Sequence, residues 1–129
     1  MNIHHVGYVV RNLDSAISKF LSLGYDIEND VVYDDSRKIK ICFITNEGHR
    51  IELIESVDES SPVSRMYKKV GPCPYHICYE CEDIGKRLTM LKSEGWVQMT
   101  KKSEAMAIGN RMVIFLYHRE VGMIELVEV

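Results

Sequence analysis

An internal repeat constrains the fold of this chain more than any other feature of its sequence. The five residues from Ile51, Ile-Glu-Leu-Ile-Glu, return from Ile124 as Ile-Glu-Leu-Val-Glu, with four identities in five. His5 lies 19 residues before Gly24, and a second histidine, His76, also lies 19 residues before a glycine. Self-similarity at a fixed spacing is typical of a duplicated structural unit. We therefore interpret the chain as two copies of one module, with a period near 71 residues.

Each copy carries the pattern of one strand, one helix and three further strands. The first strand is rich in β-branched and aromatic residues, and the helix has apolar residues at i, i+3 and i+4 spacing. Asp14 is expected to be the N-cap of the first helix, and Gly24 is expected to end it. The predicted elements are a strand at 3–10, a helix between the N-cap Asp14 and Gly24, and strands at 25–33, 39–45 and 50–56, then a strand at 75–81, a helix at 83–93 and strands at 96–100, 113–117 and 123–128.

The predicted fold class is α+β, with two tandem βαβββ modules that form a curved mixed sheet whose concave face makes a pocket. A length of 129 residues is typical of one domain, so residues 1–129 are expected to form a single domain. Module 1 covers about 1–56 and module 2 covers about 75–129. Residues 57–74 are a predicted linker, because their serine, glycine and proline content is typical of a connector around a short helix at 63–70.

The charge balance argues against a nucleic-acid binder. There are 16 basic and 19 acidic residues, which give a net charge of −3, and no basic run exceeds two residues. No apolar run approaches the roughly 20 residues of a membrane span, and residues 1–5 do not resemble a signal peptide. We therefore expect a cytoplasmic protein with no membrane partner, whose four cysteines are thiols.

Four side chains occupy equivalent places in the two copies: His5 and His76 on the first strands, and Glu52 and Glu125 on the last. A lone strand histidine is usually hydrogen-bonded and a lone strand glutamate usually faces water, so no single one indicates a ligand. Each of these glutamates has apolar neighbours, which is costly unless the carboxylate is paired or bound to a metal. If the copies pack with twofold pseudo-symmetry, the four side chains converge as two nitrogen and two oxygen donors. Such a set suits one divalent Co, Ni, Mn, Fe or Zn ion with two waters.

The Cys78 and Cys81 pair forms a CxxC motif, which is also found in zinc and dithiol sites. Both cysteines lie in the predicted strand at 75–81, where an offset of three residues directs side chains to opposite faces. We therefore expect ordinary core or edge thiols rather than a metal-binding or redox pair.

Several short motifs accompany the repeat. They are Ile-Glu-Leu-Ile-Glu-Ser at 51–56, Ser-Ser-Pro-Val at 60–63, Tyr-His-Ile-Cys-Tyr-Glu-Cys-Glu-Asp-Ile at 75–84, Gly-Asn-Arg at 109–111, Ile-Phe-Leu at 114–116 and Gly-Met-Ile-Glu-Leu at 122–126. Together with the duplicated βαβββ unit, they resemble the vicinal oxygen chelate superfamily of glyoxalases, bleomycin resistance proteins and dioxygenases. The resemblance covers essentially the whole chain and is closest to the methylmalonyl-CoA epimerases.

The resemblance implies a site and a reaction. It implies that His5, Glu52, His76 and Glu125 bind one divalent metal ion, that Glu125 is the general base, and that the protein is a homodimer. The implied reaction removes an α-proton from a chelated acyl thioester through a metal-stabilised enediolate, as in an epimerase. Two alternatives stay open: isomerisation of a hemithioacetal by a lactoylglutathione lyase (glyoxalase I), and a non-catalytic protein that sequesters a small molecule.

The chain departs from the epimerase motifs near the expected mouth of the pocket. The family's histidine pair before the second module is Tyr75-His76 here, and its His-Pro after the penultimate strand is Tyr117-His118. These changes bear on the acyl group of the substrate more than on the metal. The epimerases are proposed to use a second carboxylate on the third strand of the first module, and residues 37–41 contain no acid.

Three further polar residues are candidates for substrate binding. Asn110 and Arg111 lie in the predicted loop at 103–112, where they either hold a substrate phosphate or carboxylate or cap the loop. His118 is expected in a loop at the mouth of the pocket.

Overall fold

The computed structural model describes residues 1–129 as a mixed β-sheet structure with three α-helices, which confirms the α+β class. The chain divides into two compact units: an N-terminal unit, Val6–Pro74, and a C-terminal unit, Met1–His5 with Tyr75–Val129. None of the helices is long and apolar enough to cross a membrane. The elements are β1 (Ile3–Val10), α1 (Leu13–Leu21), β2 (Asp26–Ile27), β3 (Val32–Asp34), β4 (Ile39–Asn46), β5 (His49–Ser56), α2 (Pro62–Val70), β6 (Cys73–Cys81), α3 (Ile84–Ser93), β7 (Val97–Gln98), β8 (Ser103–Ala105), β9 (Arg111–His118) and β10 (Gly122–Glu128).

The sheet of the N-terminal unit has the strand order β2-β4-β5-β1, and β3 also pairs with β4. Strand β5 is parallel to β1 and antiparallel to β4. One face of this sheet packs on α1, and the buried side chains of this cluster are Val10, Leu13, Ile17, Cys42, Ile44 and Leu53. Strand alternation directs Phe43 and Glu52, which are partners in the β4–β5 register, to the opposite face.

The sheet of the C-terminal unit begins with the first residues of β1 and continues through β6, β10, β9 and β7, while β8 also pairs with β9. Strand β10 is parallel to β6 and antiparallel to β9. One face packs on α3, with a buried cluster of Cys81, Ile84, Ile114, Leu116, Ile124 and Leu126. The order β7-β9-β10-β6 repeats the order β2-β4-β5-β1, so the two units have the same succession of elements.

The two glutamates of each repeated segment have different structural roles. Glu55 accepts a hydrogen bond from Leu13 N at the start of α1 (2.7 Å), and Glu128 accepts one from Ile84 N at the start of α3 (3.0 Å). A carboxylate at a helix N-terminus satisfies a free amide and is favoured by the helix dipole. Glu55 and Glu128 therefore link each helix to its sheet by a hydrogen bond. Glu52 and Glu125 lie three residues earlier, on the other face of the sheet.

Helix α1 begins earlier than predicted. Asn12, rather than Asp14, is the N-cap, because its Oδ1 accepts a hydrogen bond from Ser15 N at 2.9 Å. Asp14 lies in the first turn, where the positive end of the helix dipole stabilises its negative charge. The earlier start places Leu13 in the buried cluster under the helix.

The sheet edges are shorter than predicted. The stretch 25–33 forms two short strands, β2 and β3, and the stretch 96–100 contributes only the two residues of β7. Helix α2 occupies half of the predicted linker and starts one residue earlier than expected, at a proline that suits the first turn of a helix.

The stretch 103–112 is more ordered than the predicted loop. It contains strand β8 and a short 3-10 helix, Met106–Ile108. Gly109 and Asn110 then adopt left-handed φ angles of 71° and 58° and turn the chain into β9. Asn110 N donates a hydrogen bond to Ala105 O at 3.0 Å, which closes this connection.

Candidate metal centre

Three buried polar side chains of the C-terminal unit converge on one point: His5 on β1, His76 on β6 and Glu125 on β10, each at most 4% exposed. The β6–β10 register pairs Glu125 with Cys78, so the side chains of His76, Cys78 and Glu125 point to the face opposite α3. His5 Nε2 lies 3.2 Å from His76 Nε2. Both nitrogens also lie 3.2 Å from Glu125 Oε2, so the three donor atoms form a triangle with equal sides.

The size of this triangle fits three ligands of one metal ion. Nitrogen and oxygen ligands lie about 2.1 Å from a divalent ion, so two of them separated by about 90–109° are roughly 3.0–3.4 Å apart. Glu125 Oε2 is buried without an aligned hydrogen-bond donor, although two ring nitrogens are close. A buried carboxylate oxygen without a partner is costly. A cation between the three donors would satisfy all of them.

Glu125 is ionised despite its burial. Burial raises the pKa of the Glu125 carboxyl, but the imidazoles of His5 and His76 outweigh this effect and hold the pKa well below its usual range. The site therefore offers one negative charge beside two ring nitrogens. Imidazole and carboxylate donors together suit Zn, Fe, Co, Ni or Mn.

The outer nitrogens of the two imidazoles have different surroundings. His5 Nδ1 lies 2.8 Å from Nδ1 of its neighbour His4, which is partly buried. The ring of His76 meets Tyr75 and Phe115 edge-on, with ring centres 4.5 Å and 5.2 Å away, and its Nδ1 has no hydrogen-bond partner. His4 is a neighbour of the site that the sequence pattern does not predict, and the His4-His5 doublet is its only signal in the sequence.

Glu52 lies in the N-terminal unit, on β5, and is 8% exposed. Its partners in the strand register are Gly7 on β1 and Phe43 on β4. Glu125 has an equivalent place in its own unit, where its β9 partner is Phe115. Glu52 is thus a buried acid at the corresponding strand position, and its role as a ligand stays a prediction.

Cys78 adds a soft donor near the histidines. Its sulfur and donor atoms of His4 and His5 lie within 4.8 Å of one another. Cys81 belongs to the cluster under α3, where burial raises the pKa of its thiol. Neither cysteine is part of a disulfide, and the two side chains lie on opposite faces of β6, as the spacing predicts, so they do not form a chelating pair.

The three predicted substrate-binding residues lie on β9 or just before it. Asn110 and Arg111 are exposed, in the turn into β9 and at its first position. His118, at the end of β9, is an even number of residues from Leu116 and therefore lies on the α3 side of the sheet, against Trp96 with ring centres 5.3 Å apart. The structure brings His118 to Trp96, and the part of all three residues in substrate binding stays a prediction.

Comparisons with known proteins place the chain among proteins of related sequence and fold. A family model of the glyoxalase/bleomycin resistance protein/dioxygenase superfamily matches residues 4–115. The ethylmalonyl-CoA/methylmalonyl-CoA epimerase of Cereibacter sphaeroides is 27% identical over 132 residues, which cover 98% of this chain and 97% of that protein. An uncharacterised protein of Bacillus subtilis, YqjC, is 25% identical over 131 residues, which cover 98% of this chain and 91% of that protein.

Solved structures show the same fold. Methylmalonyl-CoA epimerase from Mycobacterium tuberculosis superposes with a TM-score of 0.83 at 26% identity, over 98% of this chain and 86% of that chain. A variant of the Streptomyces coelicolor methylmalonyl-CoA epimerase, in complex with 2-nitronate-propionyl-CoA, superposes with a TM-score of 0.84 at 18% identity, over 99% of this chain and 96% of that chain.

Proposed function

Because the chain belongs to the glyoxalase/bleomycin resistance protein/dioxygenase superfamily, we propose that it is a metal-dependent epimerase of an acyl-CoA thioester, with methylmalonyl-CoA as the first substrate to test. The observation that carries the proposal is the buried triangle of His5, His76 and Glu125 donor atoms, with sides of 3.2 Å. The similarity to acyl-CoA epimerases over nearly the whole of both chains supports the choice of reaction and substrate class.

His5, His76 and Glu125 are the proposed ligands, and Glu52 is the proposed fourth. Glu52 is supported by its burial and by its place in the repeat, which matches that of Glu125. When bound, a divalent Co, Ni, Mn, Fe or Zn ion would supply a Lewis acid that stabilises the negative charge left when the α-proton departs.

Glu125 is the residue proposed to take the α-proton. Its lowered pKa keeps the carboxylate ionised at neutral pH, so it is ready to accept a proton. A carboxylate of low pKa is a weak base, and it removes a proton from carbon only where the acidity of that carbon has been raised. The base and the Lewis acid are therefore needed at the same place. The position of the Glu125 carboxylate against the two imidazoles proposed as metal ligands agrees with this requirement.

Asn110 and Arg111 are proposed to contact the substrate outside the reacting centre. The Arg111 guanidinium is exposed at the start of β9, where it could pair with a phosphate or carboxylate of an acyl-CoA. Arg111→Ala is then expected to raise the KM for an acyl-CoA and leave kcat nearly unchanged. His118 lies against Trp96 on the α3 side of the sheet, away from the face of the three donors, so no contact with the substrate is proposed for it.

Hydrogen exchange at the α-carbon tests the proposed reaction. Cobalt-loaded protein is incubated with methylmalonyl-CoA in deuterated water, and deuterium at the α-carbon and interconversion of the two epimers are followed by mass spectrometry and chiral analysis. We expect both to depend on the metal and on the protein. Glu125→Gln should abolish them, and Glu94→Gln, at an exposed glutamate after α3, should leave them unchanged.

Two other outcomes would overturn the proposal. Conversion of a glutathione hemithioacetal without exchange on methylmalonyl-CoA would identify a lactoylglutathione lyase. Tight binding of a small molecule with no exchange on either substrate would identify a sequestering protein.

A further inference from the structure

His4 and His5 are neighbours in β1, yet their rings meet each other. Their Nδ1 atoms are 2.8 Å apart, and the ring planes are inclined at 79°. Successive side chains of a strand normally point to opposite faces. The contact between the two Nδ1 atoms is therefore unusual for two successive residues of a strand.

One proton must lie between these two nitrogens. At 2.8 Å, one Nδ1 donates its N–H and the other accepts it with a lone pair. If His4 donates, a neutral His5 carries its own proton on Nε2, which faces His76 and Glu125. If His5 donates, its Nε2 has a free lone pair. The direction of this hydrogen bond thus decides whether His5 can bind a metal ion.

We propose, on the basis of the function proposed above, that His4 is a positioning residue. It accepts the Nδ1 proton of His5 and holds His5 in the tautomer whose Nε2 is a metal donor. Metal-binding histidines usually donate their second N–H to a carboxylate, a carbonyl or a water, and here the acceptor is another imidazole. His76 provides a contrast within the same site, because its Nδ1 has no hydrogen-bond partner.

Metal affinity is the first test. Protein stripped of metal by a chelator is titrated with Co(II), and binding is followed by visible absorption. His4→Phe keeps a ring but removes the acceptor, and it should weaken Co(II) binding by roughly 10- to 100-fold. His4→Asn provides an amide oxygen near the position of Nδ1, and it should recover most of the affinity.

The matched control is His49→Phe, at an exposed histidine at the start of β5, and its affinity should equal that of the wild type. A Kd for His4→Phe within twofold of the wild-type value would overturn the proposal. So would a loss of affinity in His4→Asn as large as that in His4→Phe.

The tautomer of His5 is the second test, and a purely structural role of His4 would not change it. Long-range proton–nitrogen NMR spectra of the metal-free protein with ¹⁵N-labelled histidine show which ring nitrogen carries the proton. We expect the proton of His5 on Nδ1 in the wild type, and we expect His4→Phe to lose this preference for Nδ1. Cys78→Ala controls for the nearby thiol, a weak hydrogen-bonding group, and should leave the tautomer unchanged.

A wild-type His5 protonated on Nε2, or a His4→Phe variant that keeps the Nδ1 tautomer, would overturn the role of His4. Neither measurement uses a substrate. Protein that binds Co(II) as expected but exchanges no α-proton would contradict the proposed function and leave this inference intact. If the wild type binds no Co(II), the proposed function fails and the NMR result decides the role of His4.

Discussion

Metal binding should raise the thermal stability of the protein by an amount that follows from the site. His5 Nε2, His76 Nε2 and Glu125 Oε2 already lie together in the folded chain, at 3.2 Å from one another. In the unfolded chain the two histidines are 71 residues apart, so three donors rarely meet. The ion therefore binds the folded state in strong preference to the unfolded state, and its binding free energy stabilises the fold.

The expected shift is about 10 °C at a free metal concentration of 100 times the Kd. Such a concentration stabilises the folded state by about 2.7 kcal/mol. The unfolding entropy of a chain of 129 residues is about 0.27 kcal/mol per kelvin, at about 2.1 cal/mol/K per residue. The ratio of these two quantities is the shift in Tm, about 10 °C.

Scanning calorimetry with and without Co(II) measures this shift, and His76→Ala is the comparison. Removal of one of the three convergent donors should reduce the shift to less than about 2 °C at the same free Co(II) concentration, because the ion no longer binds appreciably. His49→Ala, at an exposed histidine, should keep the full shift. A wild-type Tm that does not respond to Co(II), or a full shift in His76→Ala, would refute this reasoning.

Three further predictions concern the stability of the fold. Asp34→Asn should lower the free energy of unfolding in urea by about 2 kcal/mol. The buried Asp34 carboxylate accepts hydrogen bonds from Ser36 and Arg37, and an amide cannot replace its charge. An unchanged free energy of unfolding would contradict this prediction. Burial raises the pKa of Asp34, but these hydrogen bonds and the Arg37 charge outweigh that effect and lower it. The stabilisation that Asp34 contributes is therefore present above about pH 4 and is lost as the pH falls. Between neutral pH and pH 3, the wild type should therefore lose more stability than Asp34→Asn, and equal losses would contradict the assignment. Glu55→Ala should cost about 1 kcal/mol in urea unfolding, because it removes the acceptor at the N-terminus of α1. Glu128→Ala should lower the urea midpoint for the same reason at α3, and no loss in either variant would count against this role.

Much of the fold is predictable from the repeat, for a physical reason. Each copy has its own apolar pattern of period two in the strands and near four in the helix, and both patterns recur at nearly the same spacing. Strand alternation also separates the glutamates of each repeated segment. Glu125 lies on the face opposite α3, while Glu128 reaches the start of α3.

The parts that sequence could not predict depend on local geometry. Asn12 and Asp14 are both favourable N-cap residues, so residue type alone does not decide between them. The helix begins after Asn12, and this start places Leu13 in the buried cluster. Strand alternation assigns His4 to the face opposite His5, so it excludes the contact that the rings make at 2.8 Å. That contact depends on side-chain torsions, which no pattern of residue types encodes.

The most direct test of the metal centre is a crystal structure of cobalt-loaded protein, with anomalous diffraction data collected at the cobalt absorption edge. We expect one anomalous peak per chain, about 2.1 Å from His5 Nε2, His76 Nε2 and a carboxylate oxygen of Glu125. The carboxylate of Glu52 at the same distance would establish it as the fourth ligand. A peak bound instead to the sulfur of Cys78, or no peak near these residues, would contradict the account.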